Sequence, residues 1–331
     1  MIDGLGRTID YIRISVTDRC NLRCLYCMPG DGIAIKDMEE LLSYEEIARV
    51  CNSLAKLGIH KVKLTGGEPL VRRNIERLVS MILDIQGIDE VTLTTNGVLL
   101  AEHVDSLWES GVRKINVSLD TVSADVYKSI TGVDALDKVT CGIEKALDKG
   151  FCLKTNTVIG RYLPNGSMNQ CDNYIKVLEY FKDKNIANRF IELMPIGVGA
   201  DFDTVSVDDL RDYIESIYGR LTRDEAIKGN GPAEYYRLDG FKGAIGFIHP
   251  MNGKFCYECN RIRMTSTGMI KPCLCYEQGV DLRQIVRCDS KDVDDRIQSA
   301  IMSCIRSKPK EHCFDDRKNI SETKKMVMIG G

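Results

Sequence analysis

The chain has 331 residues, enough for one large α/β domain with a smaller region or for two ordinary domains. With 44% hydrophobic and 28% charged residues it is too apolar to be disordered, and a net charge of −3 gives no global attraction to nucleic acid. No apolar run approaches the roughly 20 residues that span a bilayer, and the start MIDGLGRTIDYIRISV lacks the charged-then-apolar order of an export signal, so no membrane association and a cytoplasmic location are expected.

In chain order, strand patterns fall at Ile9–Val16, Lys61–Gly67, Glu90–Gly97, Lys114–Asp120, Cys152–Ile159 and Ile186–Met194. Amphipathic helix patterns lie near 43–57, 74–85, 101–110, 136–149 and 169–184, the first opened by a Ser43–Glu46 capping box and stopped at Gly58. Alternating β and α units with right-handed crossovers give a parallel sheet. Six units fall short of a closed eight-stranded barrel, so the expected fold is α/β, an open, partial (β/α)6 barrel over residues 1–200. A softer boundary near 196–206 leads into a C-terminal region, 201–331, with a helix at 207–217, a Gly-rich loop at 229–231 and strand-like segments near 234–248.

The strands alternate in an informative way. Ile12, Ile14 and Val16 oppose Arg13 and Ser15; Val62 and Leu64 oppose Lys61, Lys63 and Thr65; Val91 and Leu93 oppose Thr92, Thr94 and Asn96. Ile115, Val117 and Leu119 oppose Asn116, Ser118 and Asp120, and Lys154 shares a face with Asn156. Strands buried on both faces read as continuous apolar runs. Here one face is apolar, under the helices, and the other is polar and partly basic, which makes the interior a wet cavity. The sixth strand fits neither face cleanly.

Fourteen cysteines in a reducing compartment point to metal or catalysis before disulfides. Seven of them, Cys51, Cys141, Cys152, Cys171, Cys288, Cys304 and Cys313, are scattered and read as small hydrophobes or incidental thiols. Cys20, Cys24 and Cys27 form a CX3CX2C loop just after the first strand, at the end of a parallel sheet where active sites are built. Three thiolates can hold three irons of a cubane and leave the fourth open to a small chelator; zinc would need a remote fourth ligand. Gly66, Gly67 and Glu68 end the second strand, where glycines allow close backbone approach to a ligand and a carboxylate can accept from an ammonium. The second group, Cys256, Cys259, Cys273 and Cys275, suits either another iron–sulfur cluster or zinc. Arg261 and Arg263 directly follow it, and guanidinium forks suit phosphate.

The CX3CX2C spacing in the form CNLRCLYC, followed by GGEP, resembles the radical S-adenosylmethionine (SAM) superfamily. LGR near the start, RISVTDRCNLRCLYCMP, LTGGEPLVRR, LTTNG, INVSLD, RFIELMPIG, FCYECNRIRMTSTG and the closing Gly-Gly together resemble one family within it, the GTP 3',8-cyclases of molybdenum cofactor biosynthesis, almost end to end. The resemblance implies two [4Fe-4S] clusters, one on Cys20, Cys24 and Cys27 and one on the CX2CX13C triplet Cys256, Cys259 and Cys273, with Cys275 a spare thiol. It implies SAM contacts at Tyr26, Gly66, Gly67, Glu68, Ser118 and Met194, and GTP contacts at Arg13, Lys63, Thr94, Lys154, Arg261, Ile262 and Arg263. At position 63 the family pattern more often has Arg, so Lys63 keeps the charge and lacks the fork. The implied reaction cleaves SAM to methionine and a 5'-deoxyadenosyl radical, which takes hydrogen from ribose C3' of GTP so that this carbon attacks guanine C8. A tail role for Gly330 and Gly331, a homodimer, an electron donor and hand-over of the product to cyclic pyranopterin monophosphate synthase are also implied. The rival within the superfamily is a peptide-modifying enzyme with an auxiliary cluster; a rival outside it is a zinc-stabilised nucleotide-binding protein.

Overall fold

The computed structural model describes residues 1–34, 36–162, 170–226, 229 and 231–330. Six strands alternate with helices: β1 (Tyr11–Ser15), α1 (Tyr44–Lys56), β2 (Lys61–Thr65), α2 (Ile75–Leu83), β3 (Glu90–Thr95), α3 (Leu100–Glu109), β4 (Lys114–Ser118), α4 (Ala124–Thr131), α5 (Leu136–Lys149), β5 (Cys152–Ile159), α6 (Gln170–Tyr180) and β6 (Ala187–Glu192). Then come α7 (Val207–Tyr218), β7 (Thr222–Arg223), β8 (Glu234–Arg237), β9 (Ile245–Ile248), β10 (Arg261–Met264), β11 (Met269–Lys271), β12 (Val280–Asp281), α8 (Arg283–Val286), α9 (Val293–Arg306) and α10 (Met326–Ile329). The capping box read at Ser43 is present: Ser43 Oγ accepts from the Glu46 amide, and Glu46 accepts from the Ser43 amide.

Among the described residues these strands make one 12-stranded sheet, in the order β12-β11-β10-β1-β2-β3-β4-β5-β6-β9-β8-β7. The six central strands are parallel, as expected of an open (β/α)6 arrangement. The parallel run is longer than expected, because β9 adds to β6 and β10 adds to β1, both in parallel. The region after residue 201 therefore extends both edges of the first sheet. The boundary near residue 200 divides the sequence and leaves the sheet continuous.

The alternation read from the strands decides which face is buried. Ile12, Ile14, Val62, Leu64, Leu93 and Ile115 join Ile47, Leu54, Leu78, Val104 and Val139 of the helices in one core. Burying that face supplies most of the driving force, at about 25 cal/mol per Å² of apolar surface. The opposite face curls around a cavity of about 360 Å³, to which β10 and β1 at one side and β8 and β9 at the other all contribute residues.

Candidate functional site

The cavity is ringed by cations set in register. Arg13 on β1 lies between Arg263 on β10 and Lys63 on β2. Further round, Thr94 of β3 neighbours Asn116 of β4, Asn116 neighbours Lys154 of β5, and Asn156 of β5 neighbours Arg189 of β6. Arg13, Lys63, Thr94, Lys154 and Arg261, all expected at the substrate site, line this one cavity. Ile262 does not: it alternates to the other face and packs beside Ile12 in the core, which leaves only its backbone for a ligand. Arg263 is buried and its guanidinium donates to the carbonyl of Gly330 at 2.9 Å.

Arg189 is the cavity cation that the sequence hid. On β6 the outward positions are polar (Asn188, Glu192), so its alternation is masked. Their buried partners explain them: Asn188 accepts from Thr155, and Glu192 accepts from the amides of Val207, Met251 and Asn252. Gly246 stands opposite Arg189, where a Cβ would lie 2.8 Å from the Arg189 side chain and 3.0 Å from Tyr235. Tyr235 in turn accepts from Lys154 at 2.8 Å.

Crowding of like charge shows in the acidity of these groups. Burial, then Arg189, Arg13 and Lys154, pushes the Lys63 ammonium well below the usual lysine range. Burial and the neighbours Arg261 and Arg189 also lower Arg13, which Tyr11 partly offsets. A cluster of half-buried cations held this way is built for a polyanion, whose binding relieves the repulsion.

The two cysteine groups lie at opposite ends of one strand pair. Cys20, Cys24 and Cys27 follow β1 and so sit at the C-terminal end of the parallel strands. Cys256 and Cys259 precede β10, which runs parallel to β1, and so sit at the N-terminal end. The β10–β11 hairpin pairs Arg263 with Lys271, and two residues further on Cys273 comes level with Arg261, next to Cys259. The 13-residue gap between Cys259 and Cys273 is thus the length of this hairpin.

At the first end, burial raises all three thiols, Cys24 furthest and Cys27 to about 12, and each is further raised by another cysteine or by Asp120 or Glu68. Bare, they stay protonated; a cationic iron is what displaces such protons. The Leu22 amide points at Cys20 Sγ at 3.4 Å, and the Val327 amide of α10 points at Cys27. Three buried sulfurs with N–H donors around them fit an iron–sulfur cluster. Among the described residues no group of three His, Cys, Asp or Glu converges on a single ion, and a cubane makes no such demand because it spreads its thiolates over separate irons.

Gly66 and Gly67 are required for a reason other than the one expected. A Cβ on Gly67 would fall 2.4 Å from the Arg19 carbonyl, and one on Gly66 would fall 2.7 Å from that of Thr17. They let the turn lie against the cysteine loop, which the Gly67 and Glu68 amides tie down through Thr17 and Arg19. Glu68 is buried, and its carboxylate accepts from Thr95 Oγ1 and the amides of Leu70 and Asn96. Burial lifts it to about 7 against those three bonds. Its acceptors thus hold the turn to β3. Tyr26 is held by Asp120, which accepts from its hydroxyl at 2.6 Å, and its ring packs on Tyr162. Ser118 ends β4 opposite Asn156, and Met194 packs with Ile196, Met326 and Ile329 beside the tail.

The tail lies against the ends of β1 and β2. Gly330 has φ +71°, and a Cβ there would sit 2.7 Å from Thr65 Oγ1 and 3.1 Å from Ser15 Cβ. Gly331 and residue 230 of the Gly-rich loop lie outside the described residues. Of the remaining cysteines, Cys275 is buried with its sulfur 3.3 Å from that of Cys313.

Comparison with known proteins decides the family. A chain of Clostridium perfringens strain 13 named GTP 3',8-cyclase is 41% identical over 331 residues, covering all of both chains. The chain belongs to the GTP 3',8-cyclase family. A relative of that name from Syntrophomonas wolfei is 40% identical over 335 residues, again over the full length of both. The Radical SAM superfamily matches residues 14–175, and the Molybdenum Cofactor Synthesis C family matches 186–314. Radical SAM membership makes this a SAM enzyme with an iron–sulfur cluster. Two solved structures share the fold: SuiB of Streptococcus suis bound to S-adenosylmethionine has TM-score 0.55 at 16% identity, covering 96% of this chain and 74% of that one. Native anSMEcpe with bound AdoMet has TM-score 0.58 at 18% identity, covering 92% and 82%. Among the described residues no helix is long and apolar enough to cross a membrane.

Proposed function

We infer that this chain is a radical SAM enzyme that closes GTP on itself, joining ribose C3' to guanine C8 to give (8S)-3',8-cyclo-7,8-dihydroguanosine 5'-triphosphate, the first step of molybdenum cofactor synthesis. The observation that carries this reading is the ring of half-buried cations between two cysteine triplets placed at opposite ends of β1 and β10. Cys20, Cys24 and Cys27 would hold the cluster that binds SAM; Cys256, Cys259 and Cys273 would hold a second [4Fe-4S] cluster. When bound and reduced, the first cluster and SAM supply a 5'-deoxyadenosyl radical and methionine.

The chain's own residues do the rest. Arg13, Lys63, Lys154, Arg189 and Arg261 neutralise the triphosphate, and Thr94 and Asn116 add neutral donors on the same face. Fixing the nucleotide between the two ends brings C3' and C8 together in one orientation. Tyr26, held by Asp120, with Ser118 and Met194 would line the SAM side. The Gly66–Gly67 turn would offer backbone carbonyls there. α10 and Gly330 cover the C-terminal ends of β1 and β2 and keep water from the radical. An external electron donor, a homodimer and transfer of product to the pyranopterin-forming synthase complete this reading.

The test is anaerobic incubation of iron-reconstituted protein with SAM, dithionite and GTP, read by mass spectrometry. The expected result is 5'-deoxyadenosine that depends on GTP, with a cyclised nucleotide of unchanged GTP mass. If 5'-deoxyadenosine formed while GTP stayed intact, the superfamily chemistry would stand and the cyclase reading would fall.

A further inference from the structure

Two buried cations far apart in sequence meet at the second cysteine triplet. Lys308, 7% exposed, reaches back under the β10–β11 hairpin. Its ammonium donates to the carbonyl of Arg261 at 2.8 Å and to that of Pro272 at 2.7 Å. Those carbonyls belong to the two segments that carry Cys259 and Cys273. Cys259 lies two residues before Arg261 and Cys273 directly follows Pro272, so the ammonium sits against both segments.

Arg7, from the Leu-Gly-Arg near the start, holds the loop that presents Lys308. Its Nε donates to Asp3 at 2.6 Å. One terminal nitrogen donates to the carbonyls of Cys256 and Lys310, the other to those of Pro309 and Lys308. All five guanidinium protons are used. The same loop turns the His312 amide toward Cys256. Burying two cations this way is costly unless their protons have partners, and here all five of Arg7 and two of Lys308 have one.

We propose that Lys308, held in place by Arg7, is a positioning residue of the second cysteine triplet: it ties the segments bearing Cys259 and Cys273 together and places a positive charge against them. This rests on the reading that Cys256, Cys259 and Cys273 hold an iron–sulfur cluster. A cation beside a cluster sulfur stabilises the reduced, more negative form and so raises its reduction potential.

The experiment uses the full-length chain with Cys20, Cys24 and Cys27 changed to Ala, reconstituted anaerobically with iron and sulfide so that only the second triplet can be loaded. Iron per chain and the midpoint potential, followed by electron paramagnetic resonance, are compared for this parent and for its Lys308→Met and Lys308→Arg forms. A more negative potential or a lower iron content in Lys308→Met, restored in Lys308→Arg, is the result expected. If the parent holds its cluster and Lys308→Met has the same iron and potential, the proposal is overturned and the cluster reading stands. Equal loss of iron in both variants also overturns it, because shape and not charge would then be what the site requires. A parent that binds no iron overturns the cluster reading and the proposal with it.

Discussion

The two ends of the β1–β10 pair use the same residue type in different electrostatic settings. After β1, the three thiols are raised by burial first and then by one another and by Asp120 or Glu68. Before β10, Cys256 is likewise raised by burial and by the other two cysteines, but Cys259 is brought down by Lys308 and Arg261 against the same burial. An iron centre at the first end sits among groups that disfavour added negative charge and so gives up an electron readily. At the second end the surrounding cations favour negative charge, whether on sulfur or on a nucleotide. One end suits reductive chemistry, the other suits the anchoring of an anion, and the cavity between them is lined with cations.

The largest expected effect separates the ends by reaction. Cys24→Ala should abolish 5'-deoxyadenosine formation, a loss of at least about 10³-fold, the scale seen when one member of a group acting as a unit is removed. Cys259→Ala should leave some SAM cleavage in place while the cyclised nucleotide disappears. Both products can be quantified in one quenched reaction by mass spectrometry. A Cys259→Ala chain that cyclised GTP at the wild-type rate would remove the second end from the substrate site.

A smaller effect sharpens the account of the cavity. Lys63 lies below the ordinary lysine range because of burial, Arg189, Arg13 and Lys154. The negative triphosphate should raise it again, so GTP binding takes up a proton, and affinity falls as pH rises from the empty-site pKa to the occupied one. Calorimetry in two buffers of different ionisation enthalpy should then give different binding enthalpies. In Lys63→Met the difference vanishes and KM for GTP rises about 10- to 100-fold, from about 1.5–3 kcal/mol for a charged hydrogen bond. Lys63→Arg should bind GTP without the proton uptake, since a guanidinium stays charged in both states. The folded chain carries a sign of its own. With Lys63 lowered, the unfolded state binds more protons, so this residue's contribution to stability grows as pH rises through the folded pKa toward the unfolded one. Buffer-independent enthalpies in the wild type would contradict the whole account.

The contrast between legible and hidden parts follows the range of the interactions. β5 was readable to its bounds because its alternation is local: Leu153, Thr155 and Thr157 are buried between half-buried Lys154 and Asn156. The cysteine loop and the cavity cations Arg13, Lys63 and Lys154 were readable for the same reason, from motif spacing and a period of two. β10 carried no such signal, since Arg-Ile-Arg-Met is too short to show a period, and its strand character comes from pairing with β1, 250 residues earlier. The side-chain direction of Ile262 was hidden for want of that strand. Arg189 was masked because Asn188 and Glu192 on the outer face satisfy partners from other elements. Arg7 and Lys308 act through carbonyls, which every residue has, so no side-chain pattern could announce them.

The smallest effect probes what joins the two ends. α10 sends the Val327 amide toward Cys27, and Gly330 gives its carbonyl to Arg263, so one short segment touches both the first triplet and the arginine beside the second. Gly330 adopts φ +71° with no room for a Cβ near Thr65 and Ser15. Gly330→Ala therefore combines left-handed strain with a steric clash, together about 1–3 kcal/mol. That cost is local, because a terminal segment can leave its groove without disturbing the core. The melting temperature should move little, while amides of residues 326–330 exchange faster and KM for GTP rises a few-fold as Arg263 loses its acceptor. Hydrogen exchange read by mass spectrometry resolves this peptide. Unchanged exchange with unchanged kinetics would mean that the tail is not seated against the ends of β1 and β2 in solution, and that the two ends communicate through the cavity alone.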